Sequence, residues 1–211
     1  SRGVHQLKER KQWCMEITDN YQFSFFRKPI LNTEPLRAVG IVDIYRYIVG
    51  HYAEPQTAAL RKLNHREESK RFKATHFDYC TFSGLFRKRR AEDLLMHSGL
   101  MCIDFDHVKD LDGLKQRLLA DEYFDTELLF VSPSGDGLKW IVAVDLQGME
   151  HSRFFRAIAN YLAHAGYPKV DMSGSDIARS CFLPHDPNAF INPKYEKYVK
   201  ENIFRPRMGE C

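Results

Sequence analysis

The sequence has no cysteine pair at C-x-x-C spacing, no internal repeat, no low-complexity tract and no long apolar run. Its five cysteines, Cys14, Cys80, Cys102, Cys181 and Cys211, are too few and too scattered for a zinc ribbon, and their odd number argues against a disulfide framework. No zinc is therefore expected, and a reducing cytoplasm is the default compartment. No apolar stretch approaches the roughly 20 residues that cross a bilayer, so no membrane partner is expected. The opening segment SRGVHQLKERKQW is polar and charged and does not read as a signal peptide. The chain starts without Met and stops at Cys211, which suggests a domain excised from a longer protein. An excess of one charge is also lacking: 31 Lys and Arg against 28 Asp and Glu leave +3. Binding duplex nucleic acid through bulk charge normally takes a more basic chain, so any such contact must use a local patch.

What is present suffices for one fairly large domain. The 211 residues are 44% hydrophobic and 13% aromatic, ample for a sizeable core. YQFSFF at 21–26 reads as a strand. Apolar residues at helical spacing from Leu36 to Ile48 predict a helix over 34–51, capped by Thr33 with Pro35 just inside it. A second helix is expected after Pro55. The charged run 65–74 reads as a solvated helix or loop, and 81–86 as a short strand leading into Arg87, Lys88, Arg89 and Arg90. Then come a strand at 99–106, a helix at 110–120, strands at 127–131 and 139–145, a helix at 149–165, a loop at 171–176 and a short strand at 179–183. This order predicts an α+β fold, a mixed and mostly antiparallel sheet flanked by helices. Residues 1–80 are read as the N-terminal strand and helical part of the domain and 81–211 as its core.

Three segments carry candidate chemistry. In GLMCIDFD, strand alternation puts Cys102, Asp104 and Asp106 on one face. Two carboxylates on one face of an apolar strand repel each other and are costly to bury, unless a divalent cation sits between them. Oxygen ligands of this kind select Mg²⁺ or Mn²⁺. A two-metal site, with ions about 4 Å apart, binds phosphates and activates an attacking hydroxyl. The alternative is a pair of aspartates facing water at a strand end. In the second segment, Ser132 to Lys139, Gly135 and Gly137 let backbone N–H groups converge on an anion, with the Ser134 hydroxyl and the Lys139 charge beside them. The alternative is an ordinary hairpin turn, since Gly-Asp-Gly is good turn chemistry. In the third, 170–179, Asp171 can complete a carboxylate set and Arg179 can fork onto phosphates. Equally, its acids can cap the turn and pair with Arg179. The basic run Arg87 to Arg90 is either a guide for a nucleic-acid backbone or a solvated turn. His107 is not read as a ligand, and His151 and His185 are read as structural or exposed.

SGLMCIDFDHV, FVSPSGDGLKWIVAVD and VDMSGSDIARSCFLPHDP together resemble the N-terminal domain of the virulence-associated protein E family, which looks like a branch of the archaeo-eukaryotic primase superfamily. The resemblance covers roughly residues 80 to 193. It implies a primase-like fold with Asp104, Asp106 and Asp171 as catalytic metal ligands. It also implies nucleotide contacts from Ser134, Gly135, Gly137, Lys139 and Arg179. The expected activity is a primase-polymerase nucleotidyltransferase that uses NTPs or dNTPs on single-stranded or primed DNA. A helicase-like domain in the full-length protein, in DNA replication or a mobile element, is the expected context. Polymerising members carry histidine where this chain has Lys139. That departure supports a rival expectation, a catalytically silent nucleotide- or nucleic-acid-binding module. A metal-dependent nuclease is a weaker third.

Overall fold

A computed structural model describes residues 21–201; Cys14, Cys211 and the polar N-terminal stretch lie outside it. The described chain is α+β, and every strand pairing in it is antiparallel. Two four-stranded sheets carry it. The first has the order β2–β1–β3–β9, from β1 (Phe23–Phe26), β2 (Arg37–Val39), β3 (Tyr79–Thr81) and β9 (Cys181–Phe182). The second has the order β10–β7–β8–β6, from β6 (Leu100–Phe105), β7 (Thr126–Val131), β8 (Leu138–Ala143) and β10 (Phe190–Ile191). A small hairpin joins β4 (Gly84–Phe86) to β5 (Leu94–His97). The first sheet takes β9 from the far end of the chain, so residues before and after 80 build one layer together.

The six described helices are α1 (Ile41–Val49), α2 (Glu54–Arg61), α3 (Arg66–His76), α4 (Leu111–Leu119), α5 (His151–His164) and α6 (Glu196–Lys200). None is long and apolar enough to cross a membrane. Strands β6, β7 and β8 are apolar on both faces because both are covered. Leu100, Leu128, Phe130 and Ile141 pack toward α1 and the first sheet. Met101, Ile103, Phe105 and Trp140 pack toward α4 and α5 through Leu118, Phe155, Ile158 and Leu162. Each such fully buried side chain contributes about 1.5–3 kcal/mol of transfer free energy. The Trp140 indole N–H is satisfied inside this core by Thr126 Oγ1 at 2.7 Å.

Two local expectations are corrected. Residues 34–40 are not the start of a helix: Arg37–Val39 pairs with β1, and α1 begins after Gly40, whose N–H is capped by Asp43 Oδ2 at 2.9 Å. Thr33 is not the cap. The helix-like spacing of Leu36 and Val39 is an accident of a three-residue strand running into a helix. The expected strand over 81–86 is two strands with a tight turn at Phe82 and Ser83.

Candidate functional site

The site forms where the β7–β8 turn, the end of β6 and the segment after α5 meet. Asp104 stands opposite Lys139 in the β6–β8 register. The Lys139 ammonium donates to Asp104 Oδ2 at 2.9 Å, with both side chains largely buried. Burial lowers the Lys139 pKa, yet the net shift is upward, because Asp104, Cys181 and Cys102 together outweigh desolvation. The other Asp104 oxygen accepts from the Cys102 thiol at 3.4 Å. Cys102 in turn meets Cys181 of β9, and that contact, with burial adding to it, pushes the Cys102 thiol well above its ordinary value. Cys80, Cys102 and Cys181 are free thiols.

Asp106 lies one residue past the end of β6 and is exposed. Asp171 is brought to it by the chain itself: the Asp171 N–H donates to the Asp104 carbonyl at 2.9 Å. Asp171 Oδ1 accepts from the Ser173 N–H at 2.9 Å and caps a short 3-10 turn, Met172–Ser175. That turn is pressed on β6 and α5; a Cβ on Gly174 would lie 2.7 Å from the Phe155 ring. The carboxyl groups of Asp106 and Asp171 are thereby brought near enough to shift each other's titration. Although the residue as a whole is exposed, partial desolvation of its carboxyl and the neighbouring carboxylates raise the Asp106 pKa against the pull of Lys139. Asp171 is lowered although burial opposes it, by its bond from Ser173 and the nearby Arg179. Two carboxyls sharing one proton behave as a pair and need a proton or a cation between them.

The three acids predicted from sequence therefore converge, but not equivalently. Asp104 is turned toward Lys139, while Asp106 and Asp171 face each other. For that reason the described residues hold no ready group of three His, Cys, Asp or Glu side chains placed around one point. Asp106 and Asp171 are the two residues here that could offer hard oxygen atoms to a divalent cation.

The Ser132–Lys139 turn is the second wall. Ser132 closes it: its N–H donates to the Gly137 carbonyl at 2.9 Å, and its Oγ accepts from the Gly137 N–H at 3.1 Å. Gly135 has φ +87°. A Cβ on Gly137 would lie 2.5 Å from the Phe105 carbonyl, so only glycine lets the turn approach β6. Ser134 stays exposed at the tip. Asp136 accepts from His107 at 2.8 Å, and His107 lies past the end of β6 in the left-handed region.

Sequence reasoning missed three residues here, Arg61, Lys73 and His97, and read a fourth, His151, as structural or exposed; it is buried. Arg61 of α2 donates to the Pro133 carbonyl at 3.1 Å and the Ser132 carbonyl at 3.2 Å, clamping the turn. Lys73 of α3 is partly buried within electrostatic reach of Asp106, Asp136, Lys139 and Arg179. His97 and His151 form a relay behind the 3-10 turn. Gly99 N–H donates to His97 Nδ1 at 3.0 Å, so neutral His97 carries its proton on Nε2 and passes it toward His151 Nδ1 at 3.0 Å. His151 Nε2 then donates to the Gly174 carbonyl at 3.1 Å. His185 is structural, its Nδ1 bonded to the Gly50 carbonyl at 2.6 Å. No pattern in one sequence marks these residues, because each acts through a tertiary contact.

The basic run after β4 is engaged within the fold. Arg87 and Arg90 both bind the buried Asp93, Lys88 stands 3.8 Å from Glu34, and Arg89 donates to the Ile30 carbonyl and lies over the Tyr79 ring. A small pocket beside Asp104 is lined by Phe82, Ser83, His151, Gly174, Asp176 and Arg179.

Fold and site together define an α+β domain with a carboxylate–lysine cleft under a glycine turn. The family described as BT4734-like, N-terminal domain, matches residues 71–190, more than half of the chain, and this protein belongs to that family. No curated protein and no solved structure matches the chain.

Proposed function

We propose that the cleft is the nucleotide-handling centre of a primase-polymerase-like domain of the archaeo-eukaryotic primase type, akin to the N-terminal domain of virulence-associated protein E. The observation that carries this reading is the convergence of Asp104, Asp106 and Asp171, distant in sequence, beside Lys139, Arg179 and the Ser134 turn. Asp106 and Asp171 would hold Mg²⁺ or Mn²⁺, with Asp104 at the rear of a two-metal arrangement. Bound divalent cations supply charge neutralisation at the phosphate oxygens. Ser134 and the backbone at Gly135 and Gly137 bind the phosphates of an NTP or dNTP, and Arg179 forks onto them. Lys139 fixes the Asp104 carboxylate and keeps positive charge at the floor. A primer hydroxyl attacks the α-phosphate and pyrophosphate leaves. Single-stranded or primed DNA is the template, and the exposed faces of Arg87, Lys88, Arg89 and Arg90 track its backbone. The context is a cytoplasmic protein of replication or a mobile element with a helicase-like domain.

Asp104→Ala with Asp106→Ala abolishes metal-dependent nucleotide incorporation on primed template in this account. Because loss of Asp104 strands a buried ammonium, Asp106→Asn alone is measured in parallel and gives the same loss with the fold intact. Undiminished incorporation by both variants rules the mechanism out. The Lys139–Asp104 ion pair favours a second reading, a nucleotide-binding module that releases no pyrophosphate. A pyrophosphate assay on primed template separates the two.

A further inference from the structure

Most cations near the cleft have partners: Lys139 has Asp104 and Arg61 has two carbonyls. Lys73 does not. Among the described residues its ammonium makes no hydrogen bond and no ion pair. Its own helix offers none, since Ser69, Lys70, His76 and Phe77 are its neighbours at three and four residues. It is nevertheless partly buried, and burial together with Lys139 and Arg179 lowers its pKa against the opposing pull of Asp106 and Asp136. The Arg179 guanidinium likewise has no hydrogen-bond partner among the described residues, and it acts on both Lys73 and Asp171. A lysine withdrawn from water without an anion is unfavourable, and a bound anion removes the penalty. Helix α2 holds the glycine turn through Arg61, and α3, packed on α2, carries Lys73 within electrostatic reach of Asp136 in the same turn.

We propose that Lys73 and Arg179 form a cationic clamp for a polyphosphate chain, on the α3 side of the site beside the glycine turn. The inference deepens the proposed nucleotide function and rests on it for the identity of the physiological ligand. The anion site itself is testable without a nucleoside. The clamp suits the terminal phosphates of a nucleoside triphosphate: Lys73 supplies a point charge and Arg179 a planar fork.

The test is calorimetric titration with inorganic tripolyphosphate, with and without Mn²⁺, then with nucleoside mono- and triphosphates and a single-stranded oligonucleotide. Wild-type protein binds tripolyphosphate and prefers the triphosphate. Lys73→Ala weakens tripolyphosphate and triphosphate roughly tenfold to a hundredfold, as loss of one charge-assisted contact does. It leaves the monophosphate unchanged, and Lys73→Arg restores most of the binding. Equal tripolyphosphate affinity in wild type and Lys73→Ala overturns the clamp, as does absence of binding to the wild type. So does a loss confined to the oligonucleotide, which would give Lys73 to a nucleic-acid backbone. If tripolyphosphate binds through Lys73 but neither nucleotide nor Mn²⁺ adds affinity, the clamp stands and the polymerase reading falls.

Discussion

Two groups of basic residues invite comparison. In the turn after β4, Arg87, Lys88, Arg89 and Arg90 stand together in sequence, and each has an anion, a carbonyl or a ring within the fold. At the cleft, Lys73, Lys139 and Arg179 are scattered over more than a hundred residues, and only Lys139 is paired. The first group is loud in sequence and quiet in the structure. In the second, Lys139 and Arg179 stand out in sequence and Lys73 does not, and of the three only Lys139 has an ion-pair partner among the described residues. Clustered charge along the chain is satisfied within the fold here; the partly buried charge without a protein partner is the one on which the proposed clamp rests.

The comparison breaks first at Lys139. Lys139→Met leaves Asp104 charged and buried, which costs on the order of 3–5 kcal/mol in urea unfolding. Adding Asp104→Leu recovers most of that loss, because an apolar pair replaces an ion pair. If the single variant is as stable as wild type, the pair is not a structural member of the site.

A smaller effect comes from the glycine turn. Gly137→Ala forces a Cβ against the Phe105 carbonyl and costs about 2–3 kcal/mol. An unchanged denaturation midpoint would mean that the turn gives way more easily than its packing on β6 implies.

Acid sharpens the contrast on the other side of the site. Burial lowers the His97 pKa to about 4, with His151 adding to the shift, and burial lowers His151 as well. Above pH 6.5 both folded and unfolded histidines are neutral and nothing is lost. As pH falls below 6.5 the unfolded chain takes up protons that the folded relay refuses. Stability then drops until pH nears 4, by on the order of 1–2 kcal/mol after allowance for solvent screening. The pH dependence of urea unfolding for wild type and His97→Phe checks this: the variant has a shallower acid limb. Equal limbs would remove the relay from the account.

The smallest stability effects belong to the two groups compared. Lys73→Met is neutral or stabilising, within about 0.5 kcal/mol, since it removes a desolvated charge that water only partly reaches. Arg87→Ala and Arg90→Ala each leave the buried Asp93 its other arginine, so either single change shifts the midpoint little. A clear destabilisation by Lys73→Met would show that Lys73 already has a structural anion.

Legibility followed local physics. The β6, β7 and β8 strands and helices α4 and α5 were readable because long apolar patterns impose their period over many residues. Strand β2, three residues long, was not: its apolar neighbours Leu36 and Val39 imitate a helix, and only pairing with β1 makes it extended. Asp104 and Asp106 were legible as a pair, and Asp171 through the order of motifs. Their inequality was not, because it depends on Lys139 crossing from β8 and on the Asp171 N–H reaching the Asp104 carbonyl. Lys73 was hidden inside HREESKRFKA, where seven of ten residues are ionisable side chains with nothing local to single one out.

The central claim is that Asp106 and Asp171 face each other to hold a divalent cation. Mn²⁺ titration followed by electron paramagnetic resonance tests it most directly, on wild type, Asp106→Asn and Asp171→Asn, each confirmed folded by circular dichroism. The account predicts saturable Mn²⁺ binding by the wild type, weakening as pH falls through the raised Asp106 value, and at least a tenfold loss in either variant. Equal Mn²⁺ affinity in all three proteins, or none in the wild type, would contradict it.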